Sequence, residues 1–186
     1  SDEKVEQPTY ERVYVVPSAR TGEPGEPEAL EVMTHLLGAG QSSRLYKQLV
    51  VDKPVAVAAG AYYMSSSLDA TRLWVYGVPT HDVSLDQFDA AIDGVIADFI
   101  ANPPTAKEFE RAKTRLVADA VYAQDSQVAL ARWYGAALAI GETIDDVSGW
   151  SARIEAVTPE AVLAAAKKWL DKRRAVTGYL LPEQAA

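Results

Sequence analysis

The chain holds two histidines and no cysteine, so any metal or nucleophilic chemistry must be built from few parts. His35 follows Glu31 by four residues. On a helix that spacing puts both side chains on one face, where two ligands could begin a metal site. A zinc site needs three or four ligands, and His81 has only Asp82 beside it. Both histidines therefore read as ordinary surface or helix-face residues. The lack of cysteine excludes structural disulfides, thiolate zinc ligands and thiol catalysis.

The run Gly38-Ala39-Gly40-Gln41-Ser42-Ser43 has the outline of a phosphate loop. A dinucleotide fingerprint, however, follows a strand, opens a helix and carries a third glycine. Here a helix-like stretch precedes the run, Ser43 takes the third position, and no Gly-Lys-Ser/Thr follows. The block reads instead as a glycine helix end and a tight helix–helix connection. Ser42 and Ser43 lack a nearby base and a G-x-S-x-G elbow. Asp145 and Asp146 fall in a predicted first helical turn, where carboxylates favour the helix dipole. Tyr62, Tyr63, Trp74 and Tyr76 lie on a predicted hairpin. They could form a binding face, but cross-strand core packing is the expected use.

The elements that would position these residues follow from periodicity. Residues 10–16 are β-branched and aromatic and predict a strand; the proline- and glycine-bearing residues 17–27 predict a loop. Leu30, Met33, Leu36 and Leu37 share a helix face, and Gly38 and Gly40 end that helix. Ser42 or Ser43 is expected to cap a second helix running to about Val51, with the break at Pro54. Residues 55–64 and 72–79 predict two strands joined by a turn. Then the period lengthens to 3.6. Ser84 with Gln87 and Thr105 with Glu108 are capping-box patterns, and Asn102-Pro103-Pro104 separates them. A third stretch after Ser126 carries Val128, Ala131, Trp133 and Leu138. Thr143 and Thr158-Pro159 are further helix starts, and residues 175–181 predict a last strand.

The order is one strand, two helices, two strands, about five helices and one strand. That is an α+β chain with a mixed, mostly antiparallel sheet covered by helices. Residues 1–9 are expected to be a linker or chain edge, 10–182 a single domain, and 183–186 a tail. With 48% hydrophobic and 24% charged residues over 186 positions, the chain has the composition of a globular domain. A net charge of -8 argues against nucleic acid, which needs a basic face. Lys172, Arg173 and Arg174 cluster after a helix-like stretch, where cations suit the helix C-terminus. No apolar run reaches 18 residues, so no membrane span is expected.

The stretch from Ala29 to Tyr63 is more specific. It combines an apolar helix, a glycine bend, Ser42-Ser43-Arg44-Leu45-Tyr46, a second helix and an alanine/valine strand. This resembles the insulinase/pitrilysin zinc peptidases. The run from Thr105 to Leu116 is similar to their acid- and lysine-rich helix. Val157-Thr158-Pro159-Glu160 resembles the opening of their last helix, and residues 175–181 their closing strand. The resemblance implies a protein of two similar α+β halves around a chamber. One half carries an H-x-x-E-H motif and a distal Glu that hold zinc and activate its water. This chain lacks that motif and resembles the other, C-terminal half, so no cofactor is expected in it; zinc is implied in the N-terminal half of its parent.

In the family the zinc-free half often supplies an Arg and a Tyr that grip the substrate near the metal. Counting from Ser43-Arg44-Leu45, those positions fall on Val50 and Val57, and the family's intervening Gly falls on Pro54. Valine offers no side-chain hydrogen-bond donor. The resemblance therefore implies no catalytic, metal or substrate-gripping residue here. Gly38, Gly40, Ser42, Ser43, Arg44 and Leu45 are expected to be structural. It resembles the two-subunit bacterial members, in which one subunit bears the zinc and its partner supplies the Arg and Tyr. The implied partners are the N-terminal zinc-bearing half, such a second subunit, and a peptide substrate. Family habit places such proteins in the bacterial periplasm or cytoplasm.

Overall fold

The computed structural model describes residues 1–183; of the expected tail, 184–186 lie outside the described residues. The first strand, β1, spans Thr9–Val16. Its alternation is strict: Tyr10, Arg12, Tyr14 and Val16 are buried, while Glu11 and Val15 face out. The period-two pattern thus buries one face of the strand. Nearer the N-terminus, Asp2 forms an isolated parallel bridge with Pro182.

Helix α1 runs over Glu26–Gly38, three residues longer at its start than the apolar periodicity shows, because Pro27 fills the first turn, where a missing N–H costs nothing. Helix α2 covers only Arg44–Tyr46 and passes directly into a π-helical turn over Lys47–Asp52. Strands β2 (Ala56–Tyr63) and β3 (Thr71–Pro79) form the expected hairpin. Six helices follow: α3 (Leu85–Ala101), α4 (Ala106–Ala123), α5 (Gln127–Ala139), α6 (Ile144–Ser148), α7 (Trp150–Ala156) and α8 (Pro159–Trp169). A 3-10 turn at Lys172–Arg174 leads into β4, Ala175–Leu180.

The sheet order is β2-β3-β1-β4, and all three ladders are antiparallel. The chain is therefore α+β, with the helices gathered on the sheet face that carries Tyr10, Arg12 and Tyr14. Phe88 of α3 meets the Tyr10 ring edge-on at 5.4 Å and fits beneath Gly77, where a Cβ would strike its ring. Phe88, Ile92, Val95, Ile96 and Phe99 form the buried stripe of α3, each such side chain contributing about 1.5–3 kcal/mol. The capping boxes of Ser84 and Thr105 are both formed.

Of the apolar residues of α5 only Ala137 is buried; Val128 and Leu138 stay exposed, and Trp133 is half-buried, edge-on to Trp150 at 5.8 Å. The helix sits at the edge of the bundle, and periodicity cannot tell which flank receives a neighbour. The hairpin aromatics also divide by strand alternation. Tyr63 is buried and its hydroxyl donates to the Pro17 carbonyl at 2.7 Å, whereas Tyr62 and Tyr76 lie on the opposite, exposed face. The Lys172-Arg173-Arg174 run is fully engaged: Lys172 pairs with Asp89 and Asp93, Arg173 with Asp171, and Arg174 stacks on Trp169 at 4.9 Å.

Candidate functional site

The bend between α1 and the π turn is built from contacts that each constrain one residue. Gly38 is the last residue of α1, and a Cβ there would collide with the Ala61 backbone of β2. The helix can end against the strand only because that position has no side chain. Ala39 then donates its N–H to the His35 carbonyl. Gly40 takes φ +72°, the left-handed conformation that favours glycine. Ser43 is buried at the N-cap of α2, but its hydroxyl does not cap: it donates back to the Gly40 carbonyl at 2.7 Å. Ser42 is half-buried and shares a shallow surface dimple with His35, Arg44, Arg111 and Arg115.

Arg44 and Leu45 pin the far side of the bend. Leu45 is fully buried. Arg44 reaches Asp98 of α3 at 3.4 Å and Glu108 of α4 at 3.2 Å. Glu108 also closes the capping box of α4, so one carboxylate ties the bend to that helix start. Its pKa is lowered: burial opposes this, and the Thr105 amide and hydroxyl and Arg44 outweigh it.

Val50 and Val57 both occupy irregular backbone. Val50 is half-buried within the π turn, where Lys53 donates to the Gln48 carbonyl, a reach of five residues. Val57 sits where the β2–β3 register slips between Ala56 and Ala58, and its side chain is exposed. π turns and β-bulges recur at functional positions because they re-aim a side chain. Here they aim two isopropyl groups, which neither donate nor accept a hydrogen bond.

A second place bears on metal chemistry. Glu31, Thr34 and His35 occupy one side of α1 at the spacing of the H-x-x-E-H motif, with only the last histidine in common. With Ala61, Tyr62 and Leu116 they line a 230 Å³ cavity. Sequence reasoning paired Glu31 with His35 but passed over Thr34; the i, i+3, i+4 spacing was the available signal. The donors do not fit zinc. The Glu31 carboxylate accepts from the Trp150 indole N–H at 2.8 Å, and burial raises its pKa. The Thr34 hydroxyl is buried without a partner and is a poor ligand in place of a carboxylate. His35 is pushed down by burial, with Asp119 opposing and Arg115 assisting. Among the described residues no three His, Cys, Asp or Glu side chains converge, and no helix is long and apolar enough to cross a membrane.

The fold has close counterparts among solved structures. A protease from Helicobacter pylori superposes with a TM-score of 0.87 at 18% identity; the match covers 97% of this chain and 42% of that one. The inactive peptidase domain of a candidate zinc protease from Bordetella parapertussis superposes with a TM-score of 0.85 at 18% identity, covering 100% of this chain and 98% of that one. A peptidase M16 inactive domain structure from Pseudomonas fluorescens gives a TM-score of 0.81 at 18% identity, covering 96% of this chain and 42% of that one. The chain thus spans less than half the length of two of these three, and at such identity the likeness shows the fold. No curated protein sequence matches the chain. The sequence profile of the peptidase M16 inactive domain matches residues 2–116, more than half of the chain and the part that contains the bend, the hairpin and the start of α4. On that match, this chain belongs to the peptidase M16 inactive-domain family.

Proposed function

We propose that this domain is the non-catalytic C-terminal half of a zinc metallopeptidase, forming part of the substrate chamber and of a subunit interface. Zinc and the Glu that activates its water belong to an N-terminal half of the same protein, and the substrate is a peptide. The observation that carries the reading is the pair Val50 and Val57: backbone irregularities of the kind found at working sites, bearing side chains that cannot grip a substrate. Donors aimed at the oxygen where charge develops are worth about 2.7–4 kcal/mol of barrier each, so they must come from elsewhere. A second subunit bearing an Arg and a Tyr would supply them.

The test is peptidase activity of the full-length parent, alone and mixed with proteins encoded beside it. Activity that appears only in the mixture supports the division of labour. Full activity of the homogeneous protein, undiminished at dilutions that dissociate oligomers, overturns it. A parent without zinc and without activity in any mixture would instead make this domain a scaffold or partner-binding protein of the same fold.

A further inference from the structure

In a chain of net charge -8, cations gather at the dimple beside the glycine bend. Arg44 of α2 and Arg111 and Arg115 of α4 line it with His35 and Ser42, against a single carboxylate, Glu108. Arg44 is held by Asp98 and Glu108. Arg111 and Arg115 are exposed and, among the described residues, enter no ion pair. They stand four residues apart on one helix, the spacing at which like charges face each other and repel. Asp119, four residues beyond Arg115, acts on His35 without pairing with either arginine. The floor of the dimple is apolar, because Leu36 and Ala112 are buried there. Guanidinium groups over a low-dielectric floor hold an anion more firmly than the same groups in open water.

We infer that this dimple is a binding site for a peptide carboxylate, with Arg111 and Arg115 as its main cations and the Ser42 hydroxyl as a further donor. The inference rests on the peptide substrate proposed above and names the part of it that this domain recognises. The volume argues for one edge of a flat group. The dimple holds about 20 Å³, room for roughly one water-sized group. One carboxylate oxygen enters, and the other stays at the mouth, where a guanidinium fork can take both. A phosphate would leave most of its oxygens outside. Of the two serines, Ser43 turns its hydroxyl back to Gly40, and Ser42 lines the dimple. His35 is common to the dimple and to the 230 Å³ cavity that Tyr62 and Leu116 also line. An apolar side chain next to the carboxylate therefore has a cavity beside it.

The arginines themselves supply the readout. The Bordetella parapertussis domain is matched over 98% of its chain, so a domain of this extent stands alone, and the 186-residue chain is the sample. Nuclear magnetic resonance follows the arginine Nε–H signals as four probes are added. These are acetyl-Ala-Ala-Leu with a free C-terminal carboxylate, its C-terminal amide, the amide of acetyl-Ala-Glu-Leu, and inorganic phosphate. The expected result is a saturable shift at Arg111 and Arg115 with the free carboxylate, weakened about tenfold by amidation. Arg111→Gln read at Arg115, and Arg115→Gln read at Arg111, should weaken it by a similar factor. Binding restored in the amide by its glutamate would extend the site to acidic side chains and support it equally. Equal affinity for acid and amide, no saturable shift with any peptide, or tighter binding of phosphate than of the peptide acid would each overturn the inference. Zinc content and peptidase activity of the parent are separate readouts. Carboxylate binding in a domain whose parent is zinc-free and inactive would retire the peptidase reading and leave the site standing. An active parent whose domain binds no carboxylate would retire the site alone.

Discussion

Arg12 Nη2 lies 2.7 Å from Asp89 Oδ1, and the arginine side chain is wholly buried beneath the sheet. Its Nη1 meets Asp93 one helical turn further along α3, and Lys172 closes over both carboxylates from the solvent side. Tyr10 adds a hydroxyl to Asp89 at 2.8 Å. The pair thus ties β1 to α3 and, through Lys172, to the start of β4. A buried arginine is costly unless its donors are met; here only Nε goes without a partner.

Replacing Arg12 by Ala should be strongly destabilising. It removes the cation that faces two carboxylates and leaves a void under the sheet. Breaking one partner of a buried ion pair typically costs about 3–5 kcal/mol, and solvent access at Asp93 favours the lower end. Urea unfolding is the measurement; a loss under about 1 kcal/mol would show that Lys172 and water suffice to hold the two acids.

Acid should release the same latch. Burial pushes the Asp89 carboxyl up, but hydrogen bonds from Lys172, Tyr10 and Arg12 outweigh it and bring the pKa from 3.8 to about 2. A carboxyl depressed in the folded state stabilises the protein above its unfolded pKa and loses that contribution as pH falls through the folded one. The window is therefore pH 4 down to 2. The full difference would be worth about 2 kcal/mol; solvent around half-exposed Lys172 reduces it to about 1 kcal/mol. The stability gap between the wild type and Asp89→Asn should be widest at neutral pH and narrow below pH 4. A gap independent of pH would mean that the aspartate charge is not what matters.

The two glycines of the bend should respond differently to alanine. At Gly40 there is open space but a left-handed backbone, so Gly40→Ala should cost about 1 kcal/mol, and a β-branched Val more. At Gly38 the backbone is helical and a methyl would strike Ala61, so α1 must shift from the sheet. Gly38→Ala should cost more than Gly40→Ala, at about 2 kcal/mol or above. Melting temperatures in the reverse order would show that φ, not close approach, governs the bend.

The purified 186-residue chain should hold no stoichiometric zinc and cleave no peptide. Glu31 and His35 are the nearest approach to a ligand pair, and Glu31 is already occupied by Trp150. A zinc site needs at least three protein ligands. Elemental analysis giving about one tightly held zinc per chain would contradict this.

Much of this protein was legible in its sequence because the controlling physics is local. Alternation in residues 10–16, the capping boxes at Ser84 and Thr105, and the break at Asn102-Pro103-Pro104 place their elements without reference to distant residues. Gly40 likewise announces a left-handed turn. The block from Gly38 to Leu45 carried much of the family resemblance, and counting on from it gave the expectation that the family's donor positions fall on Val50 and Val57, where valine offers no hydrogen-bonding group. Tertiary structure decided what depends on neighbours far along the chain. The π turn under Val50 and the bulge at Val57 are irregularities that the sequence pattern did not announce. Ser43 turned its hydroxyl back to Gly40 where a cap was expected. Val128 and Leu138 of α5 stayed exposed because among the described residues no element packs on their flank, and Tyr62 parted from Tyr63 because only one face of β2 meets helices. Arg12 reads in sequence as a polar interruption of a strand; it becomes the centre of the sheet's attachment to α3 only once folding brings Asp89 and Asp93, some eighty residues away, within hydrogen-bond reach.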